Sequence, residues 1–344
     1  MGRESKTIRR MAIAATLAVL IGSETRALAQ AAATYCAAWI ISPSYAPLVA
    51  AVEKGFFKAE GLDVKYVRGH GSSDTFKRVG LGSCDIGQAA AGAAVLGRAK
   101  GVRGKLVAMM SHKLEETLYF FADSGIHSPK DLEGKRVTGG PKASSNSLMF
   151  PLFARANGVD ASKVQMVYMT PGAVISSLAS GKVDATIAYH RMVPNYEKAA
   201  GQIGKKIKMI VWADNGLDLY SEGIVASDEN IATKGDLIVR FLRGQFRGMA
   251  DSLRDPEGAV ELLVKRHPGH SPQASLANLR LVQEFWFDRL YEKEGLGHIN
   301  PRKMAGSIEA TLKVSGIEKT LAPEDVMTNQ FIDQLPRELR FPRK

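Results

Sequence analysis

The amino-acid sequence predicts an α/β protein of two similar lobes, each a mainly parallel sheet flanked by helices, with a helical C-terminal part. Three observations carry this. Strand-like apolar runs alternate with helical three-to-four periodicity between Tyr35 and Gly92. The same strand–loop–helix order returns between Arg136 and Ala188. From Thr233 onward the pattern is amphipathic and helical.

The first 29 residues have the layout of an export signal. Arg9-Arg10 ends a basic stretch, Met11 to Gly22 is a short apolar run, and Ala27-Leu28-Ala29 is a small-x-small cleavage site. The run is too short to span a bilayer, which takes about 20 residues. Export with cleavage near Ala29 is therefore expected, by the Sec or the twin-arginine route.

In the first repeat, Tyr35 to Ile41 reads as a strand, and Ser42-Pro43-Ser44-Tyr45 as a turn. Pro47 to Lys58 reads as a helix, with Leu48, Val52, Phe56 and Ala59 on one face and Gly61 as its stop. Val64–Val67 and Asp85–Ala89 are further strands, separated by a Gly/His/Ser loop (69–74) that opens a second helix. In the second repeat, Arg136–Gly139, Val164–Tyr168 and Asp184–Ala188 are strands; Leu148–Ala156 and Ala173–Ala179 are helices. Ligands of open parallel sheets sit beyond the carboxyl ends of the strands. Six loops lie at those ends, and they line one cleft if the lobes face each other.

Residues 118–122 form an apolar strand near the exit from the first lobe, and Gly223–Ala226 one at the return. The expected division is lobe 1 from residues 30–122 and 223–344, and lobe 2 from 123–222. Two crossings make a hinge of the Venus-flytrap kind. Helices are expected over Leu237–Leu253, Pro256–Lys265 and Pro272–Lys293, and the tail from Leu335 to Lys344 reads as loosely held.

Beyond the first 29 residues the chain carries 41 basic and 33 acidic side chains, a net of +8. The basic residues are scattered without interleaved aromatics, which argues against nucleic acid. His267-Pro268-Gly269-His270 has His-x-x-His spacing, but its Pro-Gly marks a turn and no third ligand is near, so no metal site is expected. No nucleophile elbow or phosphate loop occurs. Cys36 and Cys84 each flank a predicted strand of the first repeat; an oxidising compartment would allow a disulfide, and two small buried thiols are the alternative.

Several segments resemble the substrate-binding proteins of bacterial ABC importers, in the branch of the thiamine-pyrimidine-precursor, sulfonate and nitrate binders. They are Ser44-Tyr45-Ala46-Pro47; Glu53-Lys54-Gly55-Phe56-Phe57-Lys58-Ala59-Glu60-Gly61-Leu62-Asp63-Val64; Gly82-Ser83-Cys84-Asp85-Ile86-Gly87; Ser124-Gly125-Ile126 with Pro129 to Lys135; Gly181-Lys182-Val183-Asp184-Ala185; and Pro323 to Phe331. The resemblance spans nearly the whole chain after the leader. It implies a type II periplasmic binding fold, a small-molecule ligand, an ABC permease of the inner membrane as partner, a periplasmic location and no cofactor. A monomer is expected. A fungal pyrimidine synthase shares the branch, but its cysteine-rich motif has no counterpart here, so a binder rather than an enzyme is expected.

By the same resemblance, Ser42 and Tyr45 contact ligand in the first lobe. The remaining candidates come from the loops. His70 and Ser72 lie where backbone N–H groups open a helix, a ready anion site, although Ser73 or Asp74 could simply cap that helix. Gln88 ends the third strand. Ser144, Ser145 and Asn146 precede a helix and suit a carboxylate, sulfonate or phosphate; Thr170 repeats the device; Tyr189 and His190 follow the last strand and suit a ring. The expected ligand is a small organic molecule, anionic, aromatic or heteroaromatic. An enzyme on the same fold acting on a pyrimidine-like or aromatic compound is the alternative, and an exported sensor a third.

Overall fold

A computed structural model describes residues 30–287 and 290–342. The expected leader lies outside the described residues. Among them, no helix is long and apolar enough to cross a membrane.

The first repeat gives β1 (Ala31–Cys36), α1 (Ala46–Glu53), α2 (Phe56–Ala59), β2 (Leu62–Val67), α3 (Ser72–Gly80) and β3 (Ile86–Ala90). The single helix expected over Pro47–Lys58 is two, because Gly55 takes a left-handed φ of +74° between them. The first strand lies earlier than expected: Ala31 to Cys36 pairs in register with Leu62 to Val67, and Ala37 to Ile41 turns toward the cleft. Two elements not read from the sequence follow, α4 (Ala91–Ala99) and β4 (Gly104–Met109).

The second repeat gives β5 (Glu116–Phe121), β6 (Arg136–Thr138), α5 (Ser145–Ala156), β7 (Gln165–Met166), α6 (Val174–Ala179), β8 (Ala185–Tyr189), α7 (Val193–Gly201) and β9 (Ile207–Val211). β10 (Glu222–Ser227) returns the chain to the first lobe. The sheet orders are β2-β1-β3-β10-β4 and β7-β6-β8-β5-β9. The three strands of each repeat run parallel, and the crossing strand joins them antiparallel: β10 beside β3, β5 beside β8. Both sheets are therefore mixed.

The first lobe boundary needs correction. β5 belongs to the second sheet, between β8 and β9, with all six residues buried. A strand apolar on both faces needs a central place, and the second sheet supplies it. The first crossing thus falls at residues 110–115, before β5 rather than after Ala122. The second falls at 212–221. The two crossings run side by side: Ser111 N–H donates to the Glu222 carbonyl at 3.0 Å, and Ser221 N–H to the Ser111 carbonyl at 3.3 Å.

The C-terminal part is helical as expected, except that the helix expected over Pro272–Lys293 ends at Trp286: α8 (Asp228–Thr233), α9 (Gly235–Arg254), α10 (Pro256–Arg266), α11 (Pro272–Trp286), α12 (Tyr291–Glu294), α13 (Pro301–Val314), α14 (Pro323–Val326) and α15 (Arg337–Arg340). α9 buries Phe241 against β1 and α2, in a stack of Tyr35, Phe241 and Phe57 with ring centroids 5.1–5.4 Å apart. α13 packs on both α4 and α5, so it touches both lobes. The tail is not loose where it is described: Leu335 and Leu339 are buried in the first lobe's core. Cys36 and Cys84 form a disulfide joining β1 to the segment entering β3.

Candidate functional site

A cavity of about 200 Å³ lies between the lobes. The first lobe contributes Ala38, Trp39, Ile40 and Ser42 after β1, Ser72 at the start of α3, and Glu222 at the start of β10. The second contributes Gly139 and Ser144–Asn146 after β6, Pro171, Gly172, Val174 and Ile175 around α6, and Ile187 to Tyr189, Arg191 and Met192 at the end of β8, with Tyr196 from α7. The repeat explains this. Parallel strands feed helix starts at one sheet edge, and two such edges face each other.

α5 begins with a strong cap. Ser144 Oγ accepts from Ser147 N–H at 3.2 Å and donates to the Gly139 carbonyl at 2.7 Å. Ser145 and Asn146, the first helical residues, then stand in the cavity wall. Asn146 Nδ2 donates to the Ile187 carbonyl at 3.2 Å, while its Oδ1 is buried without a donor.

A buried polar cluster closes one side. Tyr189 Oη donates to Glu222 Oε1 at 2.9 Å and shares a 3.0 Å hydrogen bond with Ser145 Oγ. Gln88 Nε2 donates to Glu222 Oε2 at 2.9 Å, and Tyr35 Oη donates to Gln88 Oε1 at 2.8 Å. The Arg191 guanidinium lies 4.0 Å from the Tyr189 ring centroid and pairs with Glu115 and, at 3.3 Å, with Glu222. Asn278 of α11 holds the Arg191 carbonyl at 2.6 Å, fixing the turn that aims the guanidinium. Burial, then the Glu222 carboxylate, keeps the Tyr189 hydroxyl protonated well past its usual range. Burial outweighs Arg191 at Glu115, whose carboxyl is also raised. Burial, helped by Glu222 and Glu115, pushes Glu116 up to about 8. The hydrogen bonds from Tyr189 and Arg191 to Glu222 cross from one lobe to the other, at the hinge.

Of the residues singled out in the sequence, Ser42, Ser72, Ser144, Ser145, Asn146 and Tyr189 line the cavity. Gln88 stands behind it, holding Glu222. Tyr45 is in the core, its hydroxyl accepting from Ala38 N–H at 3.1 Å, so it shapes the loop rather than the wall. His70 and Thr170 are exposed outside the cavity lining. His190 packs on Phe285 beside the cavity, and burial holds its ring below the usual histidine range. Sequence reasoning missed Trp39, Glu222 and Tyr196. Two signals were present: glutamates at the edges of the apolar runs 116–121 and 222–227. Among the described residues no group of three or more His, Cys, Asp or Glu could hold a metal ion.

Residues 42–259 match the model of the family described as "NMT1/THI5 like". The chain belongs to the NMT1/THI5-like family. It is 26% identical over 316 residues to the riboflavin-binding protein RibY of Chloroflexus aurantiacus, covering 87% of this chain and 85% of that one. It is 25% identical over 248 residues to a formylaminopyrimidine-binding protein of Halalkalibacterium halodurans, covering 72% of each. A 4-amino-5-hydroxymethyl-2-methylpyrimidine phosphate synthase of Legionella pneumophila is 25% identical over 67% of this chain and 72% of its own. In fold it matches the alkanesulfonate-binding protein SsuA of Xanthomonas axonopodis, with a TM-score of 0.67 at 17% identity over 87% of this chain and 99% of that one. The fold is that of the periplasmic solute-binding proteins, as the resemblance implied.

Proposed function

We propose that this NMT1/THI5-like protein is exported, captures a small ring-bearing organic molecule in the interlobe cavity, and delivers it to an ABC permease of the inner membrane. One observation carries the reading: a largely apolar cavity between two lobes, walled by Trp39, Tyr189 and Tyr196 with a few fixed polar groups. Such walls hold a planar molecule by burial and stacking and orient it by hydrogen bonds. The volume exceeds the about 150 Å³ of an engineered cavity that holds benzene, and so suits a compact ring compound. The binding-protein relatives, named for ligands with heteroaromatic rings, support it.

The second reading is an enzyme, favoured by the synthase relatives. Here the two cysteines are bonded to each other, far from a redox or metal role, which supports the binder. Thermal unfolding of the protein from Gln30 onward, across pyrimidines, flavins, aromatic amides, sulfonates and nitrate, separates the readings. A ligand bound only by the folded state at a hundredfold over its Kd stabilises by about 2.7 kcal/mol. The expected result is a clear rise in Tm with a ring compound that mass spectrometry recovers unchanged. Recovery of an altered compound would transfer the assignment to the enzyme.

A further inference from the structure

We infer that the ligand of this cleft offers hydrogen-bond donors, uncharged or cationic, to Glu222, and that the site rejects carboxylates and sulfonates there. The inference rests on the cleft being the ligand site and names what it selects.

Three observations converge. First, the features that would attract an anion are already occupied by the protein's own groups. The guanidinium of Arg191 pairs with Glu115 and Glu222. Ser145, at the positive end of α5, is linked through the Tyr189 hydroxyl to the same Glu222 carboxylate, across hydrogen bonds of 3.0 and 2.9 Å. The serine-rich helix start, which by sequence invites a ligand anion, faces an anion the chain supplies.

Second, the charges do not balance in favour of an incoming anion. Among the described lining residues, Arg191 and Glu222 are the charged ones, and Glu115 behind them shares the single guanidinium. The one lining cation is already held by two carboxyl groups, so it is not available to an incoming negative charge, and Glu222 favours a donor.

Third, acceptors are left over. A carboxylate offers about four acceptor positions, and Glu222 receives three donors, from Tyr189, Gln88 and Arg191. Asn146 also lines the cavity; its amide nitrogen donates to the Ile187 carbonyl, and its Oδ1 is buried without a donor. Buried acceptors without donors are costly unless a ligand supplies them. A ring bearing N–H or amino groups does so; a ring bearing only a carboxylate or sulfonate does not.

A charge series on one shape tests this: benzamidine, benzamide and benzoate, titrated at equal millimolar concentrations by thermal shift and calorimetry. The expected order places both donor probes at least about tenfold tighter than benzoate. In folded Glu222→Gln, benzamidine weakens and its preference over benzoate shrinks by about fivefold or more. Benzoate binding as tightly as the donor probes would overturn the inference while leaving the cleft a binding site. An unchanged preference in folded Glu222→Gln would remove Glu222 from the selection. Binding of none of the three would count against the cleft as a ligand site, and against the inference with it. The wild-type series stands whether or not the variant folds.

Discussion

At the scale of the residue, the site is a matter of which buried charges hold which. Glu222 is a first-lobe residue gripped by Tyr189 and Arg191 of the second. Breaking such a pair strands a charge in low dielectric, which is costlier than never having built it. Glu116, the neighbour in this cluster, makes a pH prediction. Its carboxyl goes from 4.5 to about 8 in the folded chain, chiefly through burial. Between those values the folded chain keeps a proton that the unfolded chain has released. Stability therefore falls as pH rises through that window and levels off above about 8, with a slope of at most about 1.4 kcal/mol per pH unit. Urea unfolding at about pH 5 and about pH 8 should show this fall in the wild type and a clearly smaller one in Glu116→Gln. Equal falls in both would assign the effect to another group.

At the scale of the element, loops and helix starts set how closely the lobes approach. Gly71, just before α3, has φ of +129°, and a Cβ there would stand 3.1 Å from the Ala143 carbonyl oxygen and 3.4 Å from Ser144 Cα of the opposite lobe. Gly71→Ala would strain the backbone by about 1–3 kcal/mol and push the first-lobe loop off the start of α5. The expected outcome is ligand affinity reduced about tenfold, with an increased radius of gyration of the ligand-free protein in small-angle scattering. Unchanged affinity would mean that this approach is not part of the bound state. The same elements explain what was legible in the sequence. The repeat was readable because period-two and period-3.6 patterns alternate with turn residues. The edge of β1 was not, because Ala37 to Ile41 is as apolar as a strand while its backbone turns into the cleft. β4 and β9 were missed for a related reason: both end their sheets, one buried at nearly every position and the other at none, so neither shows a clean alternation.

At the scale of the molecule, two crossings and a bridging α13 join the lobes, and one disulfide staples β1 to the approach to β3 within the first lobe. The Cys36–Cys84 bridge spans a sequence separation of 48. Closing a loop of that length restricts the unfolded chain by about 4 kcal/mol on the chain-entropy account. Unfolding of the purified protein with and without dithiothreitol should show a stability loss of that order. No loss would show that the bridge contributes little beyond packing two buried sulfurs.

By itself the sequence determined the two-lobed α/β repeat, the helical C-terminal part, and six of the twenty residues that line the cavity, because each follows from local periodicity and from helix-start chemistry. Ser42, Ser72, Ser144, Ser145, Asn146 and Tyr189 stand at strand ends and helix starts, and a strand end is visible in one dimension. Only the tertiary structure decided the sign of the site. Glu115, Arg191 and Glu222 are far apart in the chain, and nothing local says that two carboxylates will meet one guanidinium. That meeting depends on the antiparallel return of β10 beside β3 and on the turn after β8, a contact between lobes that no periodicity records.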